Sequence, residues 1–441
     1  MSKNHFLKGT LILAFTGLFS RFIGFFYRIF LSHTIGAQGM GLYQLTMPLQ
    51  ALALAVTAAG MQAAISRLCA SLLAVGKEDQ AREHFFLGCA TSLFSSLLLS
   101  FLLFRHSDFF AGEILKEPLT QPLVRLLALS FPLSALHNCI NSYYYSRKET
   151  VLPSAIQLLE QAVRVGSSYL IFLILLSEKK PLTPIIAAGG TLAGEVAACA
   201  ASLLALGFHM KARPLPLFTQ KGAFTHWRTM ASTALPHGLN RLLVTLLGSM
   251  EVIMIPQQLL ASGLDQKQAL GIYGVFTGMA LPLILFPSTI TNSASVMLMP
   301  SVAQLDSLGK NQRISYVISR TSQLCFFFGA SCTLFFLLTG RFLGVLLFKS
   351  PTAGVYIRTL AFICPFLYMN TALASILNGL GRQNACLLHN VAGILVRISF
   401  VLFSIPQIGI RGYFYGMLMG ELLLSSLHLF TLMRRRGRTS S

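Results

Sequence analysis

SRFIGFFYR, residues 20–28, puts two arginines inside the first apolar run of the chain, residues 9–32. A helix that crosses a bilayer needs roughly 20 predominantly apolar residues. An arginine near its centre costs roughly 2.5–3.5 kcal/mol on insertion scales, so Arg21 and Arg28 need a compensating role. Seven residues at about 100° each return Arg28 almost beneath Arg21, about 10 Å along the axis, with Gly24 on the same stripe. Two guanidinium forks with a glycine between them make a groove in which a phosphate can accept hydrogen bonds from both. Arg28 has a second reading, because it is close enough to the helix end to snorkel toward headgroups. Arg21 sits deeper. Phe15, Phe19, Phe22 and Phe26 form a separate stripe suited to lipid or helix packing.

The rest of the chain shares this apolar character. Its 441 residues are 54% hydrophobic and only 11% charged, with mean hydropathy +0.66. Soluble domains carry about one quarter charged residues, so the fold class expected is an all-α polytopic membrane protein. A net charge of +20 would suggest nucleic acid in a soluble protein. In a membrane protein the basic excess belongs to loops on one face, and no nucleic-acid partner is expected. The eight cysteines include no C-x-x-C pair and read as small packing residues. The ten histidines include no H-E-x-x-H or comparable spacing, so neither a metal nor a cofactor is expected. Lys3 and Lys8 before an apolar run resemble a signal peptide, but without a small-x-small cleavage site they read as the start of an uncleaved first helix.

Apolar stretches of spanning length recur about twelve times between residues 9 and 433, the first two at 9–32 and 42–66 and the eighth at 269–299, where Pro282 and Pro287 predict a bend. Basic residues in alternate connections, among them Arg67, Lys77, Arg82, Arg147, Lys148, Arg313, Arg320 and Arg382, fall on the same side as both termini. The positive-inside rule makes that side cytoplasmic, in a multi-pass protein of the cell membrane. The longest basic connection, residues 209–228, splits the helices six and six. The expected organisation is an N-terminal lobe at 1–208, a cytoplasmic linker at 209–228, a C-terminal lobe at 229–433 and a basic tail at 434–441. Echoes between the halves support it: Arg21 and Arg241, GLYQLTMPL from Gly41 and GIYGVFTGMALPL from Gly271, Arg147 and Arg382, Val163-Arg164 and Val396-Arg397, Gly194-Glu195 and Gly420-Glu421. They recur at intervals of about 220 to 235 residues, the signature of two parallel six-helix repeats with a substrate site at their interface.

The fifth helix carries Gln157, Glu160, Gln161, Arg164 and Ser168 at steps of three and four, one polar stripe that must face the bundle interior. Glu160 and Arg164 either neutralise each other for insertion or serve the interior chemistry. Asn390, Gly393 and Arg397 form the corresponding stripe of the eleventh helix, without an acidic member. Arg241 comes from the seventh helix, where Glu251 lies too far along to pair with it. Glu195 and Glu421, at equivalent places in helices six and twelve, read as inter-helix hydrogen-bonding posts. The interior set is then Arg21, Arg28, Arg164, Arg241 and Arg397 against Glu160, Glu195, Glu251 and Glu421. Its positive excess favours an anionic head group.

SRFIGFFYRIFLSHTIGAQGMGLYQL, AAGMQAAISRL from Ala58, EQAVR from Glu160, and GIYGVFTGMALPL followed by PSTIT resemble the stage V sporulation protein B group of polysaccharide-biosynthesis membrane proteins. That group belongs to the multidrug/oligosaccharidyl-lipid/polysaccharide exporter superfamily, which also holds the lipid II flippases and the MATE drug exporters. The resemblance runs from about residue 5 to residue 430 and is most specific in helices 1, 2, 5, 7 and 8. It implies a V-shaped two-lobe bundle that alternates access and flips a polyprenyl-diphosphate-linked saccharide. It also implies a cavity arginine at Arg21, from the SR-x-x-G-F segment, and a basic partner at Arg241. A further cavity arginine of the lipid II flippases has no match, since Leu52 to Ala55 is apolar, and this departure argues against lipid II itself as substrate.

The resulting expectation is a flippase for an anionic lipid-linked oligosaccharide or peptidoglycan precursor. The diphosphate would meet Arg21, Gly24, Arg28 and Arg241. The sugar would meet Gln157, Glu160, Gln161, Arg164, Asn390 and Arg397, with Glu160 and Glu251 as coupling candidates. Its partners would be that lipid and the bilayer, with a monomer as the simplest state. The sequence holds no paired carboxylates or nucleophile constellation for a membrane transferase, so an enzyme is not expected. The alternatives are a MATE-type cation antiporter, which would need an uncompensated acid in the first lobe, and a non-transporting scaffold for envelope assembly.

Overall fold

The computed structural model describes residues 3–210 and 220–438, and every regular element among them is helical. Residues 211–219 of the expected linker and 439–441 of the expected tail lie outside the described residues. Eleven of the helices are long and apolar enough to cross a membrane. The first of these, Phe15–Ala74, has 60 residues. At about 1.5 Å per residue it is some three times the thickness of a hydrocarbon core, so it cannot be one crossing. The break lies inside α1 (Lys3–Leu54) at Gly36, whose φ of 67° and ψ of −175° are outside the helical region and open in practice to glycine alone. The two arms contain the first two expected spans, so the apolar stretches read from the sequence are present with the first pair fused. A π turn at Ala55–Ala59 then leads into α2 (Gly60–Ala74).

The chain forms two compact units. Unit 1, Met1–Ile23 with Leu45–Ser249, contains α2, α3 (Glu78–Arg105), α4 (Gln121–Ser146), α5 (Val151–Ser177), α6 (Ile185–Met210) and the first part of α7 (Gln220–Ala261). The α3 start is marked in sequence by a turn at Gly76, with φ 75°, and by Glu78 and Asp79 in the first helical turn, where carboxylates complement the helix dipole. Ile65, Phe85, Ile140 and Tyr143 form its core with Cys69, Cys89 and Cys139, and Met230 of α7 completes it. The cysteines are free and act as small packing groups here. The π turn leaves carbonyls without intrahelical partners, and Ser92 Oγ donates to Thr57 O at 2.8 Å from the next helix. Glycine sets the approach of α2 to α7: a Cβ on Gly60 would stand 2.7 Å from Ala234 O.

Unit 2 takes Gly24–Gln44 with Met250–Ser441. It contains α8 (Gln266–Gly274), α9 (Ser288–Ser307), α10 (Asn311–Phe348), α11 (Pro351–Leu360), α12 (Cys364–Gly379), α13 (Gln383–Phe403) and α14 (Ile410–Arg438). Asp265 opens α8 with a capping box: Gln268 N donates to its Oδ1 at 2.7 Å, and Asp265 N donates back to Gln268 Oε1 at 3.2 Å. The eighth apolar stretch, expected as one bent helix over 269–299, is instead divided. It passes through a π turn at Val275–Ala280 and a short helix Leu281–Leu285, then breaks at Phe286-Pro287 before α9. Proline cannot donate into the ladder and its ring crowds the preceding turn, which accounts for the break. Tyr368 donates its hydroxyl to Ile284 O at 2.6 Å beside it. Leu373, Ile376 and Leu377 of α12 form the core with Val302, Cys325 and Cys386.

The two units do not follow the halves of the sequence, because residues 24–44 compact with the second and residues 229–249 of α7 with the first. Within each unit the outward faces are apolar. Phe94 is 71% exposed on α3 and Leu338 76% exposed on α10, a pattern that suits hydrocarbon and not water.

Candidate functional site

The arginines expected inside the membrane divide into two kinds. In unit 1, Arg21 and Arg241 are exposed, and among the described residues neither makes an ion pair or a side-chain hydrogen bond. On α1 the buried face is Thr16, Ser20, Tyr27 and Leu31, and the exposed aromatic face is Phe15, Phe19, Phe22 and Phe26. At about 100° per residue Arg21 lies on a third face, apart from both. Arg241 is one turn beyond Gly238, whose added Cβ would stand 3.5 Å from Gly60 Cα. In unit 2, a Cβ added to Gly24 would meet nothing within 4 Å, and the half-buried Arg28 has no acid at ion-pair distance among the described residues.

Arg164 and Arg397 are of the other kind. Arg164 donates through Nη2 to Glu160 Oε1, one turn earlier on α5. Glu195 of α6 approaches His137 Nδ1 of α4 at 3.3 Å. Gly194 makes this packing of α6 on α5 possible, since a Cβ there would stand 3.0 Å from Glu160 O and 3.2 Å from Arg164 Cβ. Gln161 is half-buried and Gln157 exposed on the same stripe.

Arg397 was read as lacking an acid on its own helix, and its acids come from elsewhere. Glu251, in the last third of α7, takes Nε at 2.7 Å and Nη2 at 3.2 Å, a two-pronged pair, while Glu421 of α14 is 3.5 Å from Nη1. Tyr413 donates its hydroxyl to Glu251 Oε1 at 2.6 Å, and Asn370 donates Nδ2 to Glu421 Oε2 at 2.7 Å. Ser425 in turn donates to Asn370 Oδ1 at 2.7 Å, so the network is satisfied at each step. Asn390 lies apart, donating weakly to Cys386 Sγ at 3.6 Å. Tyr413, Asn370 and His137 were missed by sequence reasoning. A signal existed for two of them, because His137 and Asn370 are separated by the same interval as Arg164 and Arg397. Tyr413 carried none.

This arrangement fixes two guanidinium groups by carboxylates and leaves three without them among the described residues. Guanidinium forks that keep their donors free can take an oxyanion two-pronged, whereas those held by Glu160 or Glu251 are already engaged.

The fold is that of a multi-pass membrane transporter. It superposes with TM-score 0.71 on a multidrug resistance MATE family transporter of the MOP superfamily in its inward-facing conformation, at 13% identity over 94% of each chain. The chain belongs to the polysaccharide biosynthesis protein family, whose model matches residues 6–306. It is 30% identical to stage V sporulation protein B of Bacillus subtilis (strain 168), over 98% of this chain and 84% of that protein. It is 20% identical to the lipid II flippase MurJ of the same organism, over 89% of this chain and 76% of that one. The resemblance carried by the first, second, fifth, seventh and eighth helices therefore holds along almost the whole chain.

Proposed function

We propose that this protein is an alternating-access flippase that moves an anionic polyprenyl-diphosphate-linked oligosaccharide or peptidoglycan precursor across the cytoplasmic membrane. The observation that carries the reading is the division among the arginines: Arg164 and Arg397 are neutralised by carboxylates, while among the described residues Arg21, Arg28 and Arg241 are not. Uncompensated guanidinium groups in membrane helices are costly unless something they bind offsets the cost. A diphosphate does so with charge-assisted hydrogen bonds. In this reading Arg21, Arg28 and Arg241 grip the diphosphate and Gly24 gives it room. Gln157, Gln161 and Asn390 offer polar contacts to the sugar, and the Glu160–Arg164 and Glu251–Arg397 pairs are where coupling would act. Residues 1–208 and 229–433 are the two lobes that alternate, both termini are cytoplasmic, and no covalent chemistry is involved. The relatives' names support the transport reading, and the pairing of Glu160 with Arg164 disfavours a cation antiporter, which needs a free acid there.

The electrostatics give a direct test. An anion moving out of a negative interior gains about 2.3 kcal/mol per charge per 100 mV, and the emptied cationic site is drawn back by the same field. In proteoliposomes carrying a polyprenyl-diphosphate saccharide, collapsing the potential with valinomycin and potassium should slow turnover. Flipping at an unchanged rate would remove this mechanism.

A further inference from the structure

Unit 2 has a cavity of about 270 Å³ between the start of α10 and the end of α14, away from the arginines discussed above. One wall is a row of hydroxyls on α10, Ser315, Ser319 and Ser322; the other is Leu429, Leu432 and Met433 of α14. Ser322 donates to Ile318 O at 2.8 Å, whereas Ser315 and Ser319 have no partner among the described residues. The row from Ser315 to Ser322 is about 10 Å long and begins one turn from the helix end. It therefore lies in the polar first turns of α10, ahead of the apolar run that begins at Leu324.

The charge that the two walling helices carry at this end has one sign. Arg320 follows Ser319, Arg434 follows Met433, both are exposed, and neither makes an ion pair among the described residues. α10 contains no acid at all, and the one acid of α14, Glu421, is buried in the Arg397 network. A groove with a polar wall, an apolar wall and a basic mouth matches a lipid whose phosphate stays at the surface while its glycerol and first methylenes enter. Basic pockets between membrane helices on the cytoplasmic side are suited to anionic head groups.

We propose that this groove binds one anionic phospholipid of the bilayer, with its phosphate against Arg434 and the Ser315 and Ser319 hydroxyls. The test is native mass spectrometry of the full chain in mild detergent, titrated with phosphatidylglycerol or phosphatidylcholine. One phosphatidylglycerol should be retained in preference to phosphatidylcholine. Ser319→Trp, at an exposed position that tolerates bulk, should abolish that retention by filling the groove. Arg434→Gln should weaken it about five-fold. It leaves the groove walls intact, so it decides the matter if the tryptophan variant folds poorly. Equal retention of the two lipids, or full retention in the Arg434 variant, would overturn the assignment. So would a photocrosslinker at position 319 that captures a polyprenyl-linked saccharide instead of phospholipid. None of these readouts depends on transport, so the flippase reading and this one can fail separately.

Discussion

The polar network of unit 1 and that of unit 2 are built on the same plan with one part moved. Each has an arginine midway along a helix, Arg164 or Arg397, and a neighbouring helix that brings a Gly-Glu pair against it. The glycine is retained for packing: a Cβ on Gly420 would stand 2.9 Å from Arg397 Cγ, as one on Gly194 would press on Glu160 O. The close acid has moved. In unit 1 it is Glu160, four residues away on the same helix; in unit 2 it is Glu251, 146 residues away on α7. The polar residue facing the second carboxylate differs too, His137 against Glu195 and Asn370 against Glu421. A local pair serves insertion, since both charges enter the membrane together. The long-range pair forms only on folding, and it ties α7 to α13 and α14.

That difference gives the largest expected effect. Arg397→Leu strands two carboxylates, one of them, Glu251, only 4% exposed at the side chain, and should cost about 3–5 kcal/mol. Thermal unfolding in detergent would show it, and Glu251→Gln in the same background should restore part of the loss. Arg164→Leu should cost less, about 1–3 kcal/mol, because Glu160 is more open at 15%. Equal losses would mean that the two networks are interchangeable. Gly194→Ala and Gly420→Ala should each cost about 1–3 kcal/mol by overpacking. Gly194→Ala should be the worse, since the first atom it meets is a backbone oxygen and not a side-chain methylene. The smallest change is expected from Arg21→Gln and Arg241→Gln, within about 0.5 kcal/mol of the parent, because neither side chain has a partner among the described residues to lose.

Composition and apolar run length made the membrane class and the spanning-length helices legible, because a bilayer sets the length and apolar character of any helix that crosses it. The local pair Glu160 and Arg164 was legible for a similar reason: helical periodicity alone brings them together. Glu251 with Arg397 was not, since nothing in a helix's own period relates residues on different helices. The first two spans were separated correctly, but their fusion into one element broken at Gly36 depends on a backbone angle. The break at Phe286-Pro287 was read as a bend because a proline within a span allows either outcome until its neighbours are known. The three uncompensated arginines were legible as anomalies, and their lack of carboxylates is what the fold adds.

The most direct measurement is the rate at which Arg21→Gln and Arg241→Gln flip a polyprenyl-diphosphate saccharide in proteoliposomes, with Arg67→Gln as a surface control. Loss of one charge-assisted contact should slow transport by about 10- to 100-fold in each of the two variants while their unfolding temperatures and the control stay at parental values. Transport at the parental rate in both would contradict the claim that these side chains are held in the membrane to meet a phosphorylated lipid.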